Sequence, residues 1–210
     1  MFLKKYLKLL IATVFSAVLI VWGVIAAVNE FSDARALDEG YRFRIDDGVL
    51  TRIEVYGDTP VHVVIPDGVT EISYNAFRER KVASVQIPDS VEVIRWYAFA
   101  DCVDLEEVKL SSGSRLRVIE EYAFAGCEKL GGFTVPSDTV FIYKGCFWKC
   151  TALEQLEFSE LDGWTLFVSR EYGEGGNGFL ELSESYGGRA VAEIMRSSEN
   201  AVLSKGGAEE

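Results

Sequence analysis

A nine-residue phrase, Val-Thr-Glu-Ile-Ser-Tyr-Asn-Ala-Phe at residues 69–77, recurs three times further along this chain. Residues 91–99 read Val-Glu-Val-Ile-Arg-Trp-Tyr-Ala-Phe and residues 116–124 read Leu-Arg-Val-Ile-Glu-Glu-Tyr-Ala-Phe. Residues 139–147 read Thr-Val-Phe-Ile-Tyr-Lys-Gly-Cys-Phe. The closing phenylalanines, Phe77, Phe99, Phe124 and Phe147, are 22, 25 and 23 residues apart. Three residues after the last three stand Cys102, Cys127 and Cys150, and six residues after them Leu105, Leu130 and Leu153. Each copy then ends in a short alternating strand, with Val85/Ile87, Val108/Leu110, Phe133/Val135 and Leu156/Phe158 on one face; Val63 and Ile65 supply such a strand ahead of the first copy. A repeat of this length cannot bury its apolar residues alone, so the core must come from stacking one turn on the next. The reading is a solenoid with one short strand per turn, an isoleucine ladder (Ile72, Ile94, Ile119, Ile142) and a phenylalanine ladder.

The pattern resembles the BspA-like leucine-rich repeats, whose unit reads Ile-Pro-x-x-Val-x-x-Ile-x-x-x-Ala-Phe-x-x-Cys-x-x-Leu-x-x-Val. The resemblance covers residues 61–159. It implies a leucine-rich-repeat solenoid: a β-rich, right-handed coil of short strands. It also implies a cell-surface binding module for protein or glycan contacts, of the adhesion type. The alternative is an architectural scaffold, or a subunit of an envelope membrane complex. Residues 111–115 (Ser-Ser-Gly-Ser-Arg) carry a two-residue insertion that should bulge one turn. Arg80 and Cys146 stand where the family has Cys and Ala, and Thr139 takes a position that is apolar in the other three copies.

Open solenoid ends expose sheet edges, so caps are expected. Residues 41–45 and 49–56 flank Asp46-Asp47-Gly48 and read as a hairpin. At the other end, residues 164–168 and 178–182 flank a glycine-rich stretch at 173–177 as a second hairpin. Residues 190–195 have weak helical spacing, and residues 197–210 read as a frayed tail. The expected organisation is an N-terminal segment (1–28), a linker and cap (29–60), four repeats (61–159) and a C-terminal cap and tail (160–210).

Residues 9–28 carry no charge, follow Lys4, Lys5 and Lys8, and precede Glu30 and Asp33. A helix of that length spans about 30 Å, the thickness of a bilayer's hydrocarbon core. The basic flank places the N-terminus in the cytoplasm and the body outside. A single-pass anchor is the expectation. A signal peptide cut after Ala26 or Ala27, releasing a secreted protein, is the other reading.

Function classes narrow from there. The net charge is −12, and the first 28 residues hold three lysines and no acid. The remainder is therefore more acidic still and repels phosphate backbones, so no nucleic-acid partner is expected. A single histidine, His62, belongs to no recognisable nucleophile motif. The glycines at 173–178 lack the Gly-Lys-Ser/Thr ending of a phosphate loop. No cofactor, metal or catalytic residue is expected. Four cysteines in an oxidising compartment invite two disulfides. Yet three of them share one repeat position, which the family reserves for a small buried side chain, so a ladder of buried free thiols is the expectation; a bridge, if any, would involve Cys146.

Alternation leaves Ser84, Gln86, Glu107, Lys109, Thr134, Gln155 and Glu157 on the solvent side of the strands. They form a small polar stripe with no obvious anchor. Anchors in interfaces are typically Trp, Tyr or Arg. Tyr74 and Trp96, three residues before the repeat phenylalanine, and Trp148, directly after one, lie outside the core positions. These ten residues are the candidate contact set; the competing reading of the three aromatics is that they shield the rim of the core.

Overall fold

The computed structural model describes residues 40–160, 163–168, 178–181 and 188–206. Residues 43–210 form one unit and residues 1–42 another. The apolar segment at 9–28, the glycine-rich stretch at 173–177 and the last four residues lie outside the described residues. Among the described residues no helix is long and apolar enough to cross a membrane.

The repeats coil into a β-solenoid of about five turns, and each turn carries two strands rather than the one expected. The longer strands are β3 (Val61–Val64), β5 (Val82–Gln86), β7 (Glu107–Lys109), β9 (Gly132–Val135) and β11 (Gln155–Phe158). Between them come two-residue strands: β4 (Glu71–Ile72), β6 (Val93–Ile94), β8 (Val118–Ile119) and β10 (Phe141–Ile142). Alternation over two residues leaves no visible period, which is why the second sheet escapes a sequence reading. Its register is the isoleucine ladder: Leu50, Ile72, Ile94, Ile119 and Ile142 pair in parallel from turn to turn.

Leu50 belongs to β2 (Val49–Val55), which follows β1 (Tyr41–Asp46). Asp47 and Gly48 between them have φ of 48° and 79°, the left-handed pair of a type I′ hairpin turn. The hairpin expected as a cap is therefore also the start of the coil, because β2 continues the same parallel sheet through β4.

Between the two sheets the chain turns through the Ala-Phe segments, and these turns stack by hydrogen bonds as well. Phe77 N donates to Ala98 O (2.7 Å), Phe99 N to Ala123 O (2.7 Å) and Phe124 N to Cys146 O (2.9 Å). The rings of Phe77, Phe99, Phe124 and Phe147 are fully buried. They stack with centroids 4.5, 5.0 and 5.7 Å apart. Thr139 is buried like its apolar counterparts, and its Oγ1 donates to Leu116 O (2.8 Å), which satisfies the hydroxyl.

The insertion at 111–115 bulges as expected. Ser111 Oγ bonds Asp89 Oδ1, Gly113 N bonds Ser111 Oγ (3.0 Å), and Arg115 Nε bonds Asp89 O (3.2 Å). The sheet of longer strands is interrupted at this turn, into β3-β5-β7 and β9-β11.

The C-terminal cap departs furthest from expectation. Residues 197–210 are not simply a frayed tail: β14 (Ala201–Lys205), with Ala201 and Leu203 buried, pairs antiparallel with β10. It also pairs with β12 (Trp164–Val168), which forms the expected hairpin with β13 (Gly178–Glu181). Helix α1 (Gly188–Ser197) buries Val191, Ala192 and Met195 and covers the last turn. It comes so close to β11 that a Cβ on Gly188 would lie 2.0 Å from Leu156 O. A five-residue strand after a helix carries too little pattern to be separated from a tail by sequence.

An aromatic ridge and the pocket at its end

Each Ala-Phe turn holds two residues in the left-handed region, two before and two after the phenylalanine. Asn75, Tyr97, Tyr122 and Gly145 occupy the first position with φ between 56° and 66°. Glu79, Asp101, Gly126 and Lys149 occupy the second, with φ of 58° to 73°. A left-handed residue costs about 1–2 kcal/mol when it is not glycine. Here the stacked turns impose it.

Tyr97 and Tyr122 stack at 5.1 Å with planes 5° apart. Tyr74 packs on Trp96 (5.1 Å), Trp96 on Tyr97 (6.1 Å), and Tyr122 meets the edge of Trp148 (6.4 Å). The result is a ridge of five rings running from the first repeat to the last: Tyr74, Trp96, Tyr97, Tyr122 and Trp148. Tyr74 is 51 % exposed and Trp96 49 %. Trp148 is half-buried beneath Lys149 Nζ, 4.1 Å from its ring. The three aromatics named from sequence thus fall on one ridge, joined by two that the sequence reading missed. The available signal was that their position holds Asn75 and Gly145 in the other copies, the residue types that tolerate φ > 0.

Several contacts hold the ridge. Arg95 spans three turns, with Nη2 2.7 Å from Glu71 and Nη1 2.7 Å from Glu120; the second oxygen of Glu120 accepts from Trp96 N (3.0 Å). These two carboxylates raise the Arg95 pKa above its usual value. Tyr122 Oη bonds Glu199 (2.6 Å), and burial, followed by that bond, raises its phenol well above the usual range. All four cysteines are free and buried. Cys102, Cys127 and Cys150 donate to the Phe77, Phe99 and Phe124 carbonyls of the preceding turn (2.9, 3.2 and 3.1 Å). Burial pushes Cys102 and Cys150 up to about 12 and raises Cys127 and Cys146 well above the ordinary thiol value, so none is a thiolate at neutral pH.

The polar strand residues lie elsewhere, on the longer-strand sheets. Gln86, Glu107, Lys109, Thr134, Gln155 and Glu157 are exposed and Ser84 half-buried. Ser84 pairs across strands with His62, whose Nδ1 is 2.8 Å from Ser84 Oγ. Lys109 pairs with Glu107 (3.2 Å), and Gln155 with Glu157 (3.2 Å). Five of the seven thus engage a neighbour on the strands, and the candidate set divides into an aromatic ridge and a largely paired polar face.

At the Tyr74 end of the ridge is an open pocket of about 390 Å³, whose walls include Arg52, Tyr74, Asn75, Arg78, Glu79 and Arg80. Arg78 lies 5.4 Å from the Tyr97 ring and makes long ion pairs with Glu79 (3.5 Å) and Asp101 (3.6 Å). Arg80 takes the place of the repeat cysteine in the first copy, where no preceding repeat phenylalanine offers a carbonyl to a thiol.

The model of the BspA-type leucine-rich repeat region, described with six copies, matches residues 58–162, half of the chain. The chain belongs to the BspA-type leucine-rich repeat family. Solved structures that the chain is similar to include a leucine-rich repeat protein from Bacteroides capillosus, 31 % identical, covering 58 % of this chain and 96 % of its own, with a TM-score of 0.45. A leucine-rich cell-surface protein from Faecalibacterium prausnitzii is 29 % identical over 58 % of this chain and 40 % of its own (TM-score 0.40). The pneumococcal vaccine antigen PcpA is 24 % identical over 57 % of this chain and 36 % of its own (TM-score 0.42). No curated protein sequence matches the chain. The chain covers less than half of the length of the two larger of these structures.

Proposed function

We propose that this BspA-type repeat domain is a non-catalytic binding module displayed outside the cell, tethered by the apolar segment at residues 9–28. The five-ring aromatic ridge is its contact surface for a protein or glycan. The observation that carries the reading is the ridge. Large rings line up across four repeats, two of them half exposed, while the core beneath is already filled by the phenylalanine ladder. Rings that served only to shield the rim would be covered; contiguous exposed aromatic area on a small rigid platform is what binding anchors look like. The polar strand face contributes little, since its charged groups already pair among themselves.

The test compares ligand capture from the protein's own surroundings by wild type, Trp96→Ala, and a Gln86→Glu/Lys109→Glu double variant, each checked for an unchanged melting temperature. Loss with Trp96→Ala alone supports the ridge. Loss only with the strand variant moves the site to the polar face.

A further inference from the structure

We propose that the pocket at the Tyr74 end of the ridge binds the carboxylate of an acidic sugar unit; this rests on the ridge reading and names its ligand class. The chain is strongly acidic, yet among the described residues this pocket gathers three guanidiniums, Arg52, Arg78 and Arg80, against one lining carboxylate, Glu79, with Asp101 3.6 Å from Arg78 as a second nearby acid. Its volume of about 390 Å³ falls in the range of small-ligand sites.

Three buried atoms of residues that line this pocket have no hydrogen-bond partner among the described residues: Arg78 Nε, Arg80 Nε and Asn75 Oδ1. Glu79 approaches Arg78 Nε only to 3.5 Å, too far and too poorly aimed to satisfy it. Unsatisfied buried polar groups are rare in folded proteins and call for a physical reason.

The identity of the orphans selects the ligand. The two Nε–H groups need an acceptor, and a planar carboxylate meets the Nε/Nη edge of a guanidinium with two parallel bonds. Asn75 Oδ1 needs a donor, which an ionised carboxylate lacks and a sugar hydroxyl supplies. Tyr74, half exposed and backed by Trp96, offers a flat face to the apolar side of a pyranose ring. A uronate residue carries all three features. Because both Nε–H groups are buried, binding requires rotation of the outer side-chain bonds of Arg78, which is 41 % exposed, and of the half-buried Arg80 to turn their forks toward the bound group. From this pocket the ridge runs on past Trp96 and Tyr97, in line for the neighbouring units of a polymer.

The test titrates the full-length protein with a short oligogalacturonate, following tryptophan fluorescence. Parallel titrations use its methyl ester, dextran sulfate and polyglutamate. Wild type should bind the oligogalacturonate and lose at least about tenfold in affinity for the ester, the loss expected when a charge-assisted bond is removed. Arg80→Gln and Arg52→Gln should each weaken the acid about tenfold with unchanged melting temperature. Arg80→Lys, which keeps the charge and loses the fork, should weaken it too. Should Arg80→Gln not fold, the exposed Arg52→Gln carries the comparison.

Equal binding of acid and ester, with loss of both in Trp96→Ala, would overturn the carboxylate site while leaving the ridge as a glycan surface. Equal or tighter binding of dextran sulfate or polyglutamate would replace the uronate by general anion attraction. No binding of any probe would also overturn the pocket proposal, and the ridge would still be decided by its own capture experiment.

Discussion

Phe124 shows how much rests on one side chain in a stacked core. Its ring lies between Phe99 and Phe147 and tilts against Phe133 at 5.4 Å. Truncation leaves a cavity bordered by three rings that the turn-to-turn hydrogen bonds prevent from collapsing. Phe124→Ala should therefore cost about 3–5 kcal/mol, read as a lowered denaturant midpoint. Gly145 presents the opposite problem, too little space. At φ 66° an added Cβ would sit 2.5 Å from the Tyr122 ring, whereas one on Gly57, at φ 89°, would meet nothing within 4 Å among the described residues. Both alanine variants carry the left-handed cost of about 1–2 kcal/mol. Only Gly145→Ala should add a steric loss and shift Tyr122, so it should melt below Gly57→Ala. The thiols give a pH prediction. Burial holds Cys102 and Cys150 near 12, against about 9 for a thiol in the unfolded chain. Raised folded-state values mean that the folded chain binds more protons between these limits. Stability is thus fully present below about pH 9 and falls as pH rises toward 12. Alkaline melts should show that decline. At pH 8, a thiol reagent should find four groups per chain after denaturation and essentially none before.

At the scale of elements, the C-terminal cap is the part most open to perturbation. Strand β14 joins the last parallel strand, β10, to the β12–β13 hairpin, and Lys205 Nζ ties it to Ser137 O (3.0 Å) and Glu160 (2.9 Å). A chain ending at residue 198 should expose the β10 edge and detach the hairpin. The expected outcome is a lower melting temperature with a tendency to associate through the open edge, measured by light scattering. Gly188→Ala should act more locally. The clash with Leu156 O lifts the start of α1 from β11, and hydrogen exchange should rise in Val191–Met195 while Ile72 and Ile94 stay protected. The Arg95 bridge is an element-level device too, since it fixes three successive turns and, through Glu120, the backbone under Trp96.

For the molecule as a whole, what the chain's own pattern determined was the coil and its core. A period near 23 residues with Ile, Phe and Leu at constant offsets can be buried only by stacking, so the isoleucine and phenylalanine ladders are legible in the sequence, and the structure places both. The same periodicity marked Tyr74, Trp96 and Trp148 as residues that the core does not use. The tertiary structure alone decided the rest. Two-residue strands have no period to read, so the second sheet exists only because neighbouring turns offer hydrogen-bond partners. Tyr97 and Tyr122 resemble core aromatics in sequence. Stacked turns hold them at positive φ, and that backbone carries their rings into the ridge. The pocket joins β2 to a turn more than twenty residues later, and β14 closes a sheet begun well over a hundred residues earlier. Repeats announce themselves in sequence because each copy obeys one set of neighbours. Caps and surface sites do not, because each is met once and its partners are chosen by the coil rather than by adjacent residues.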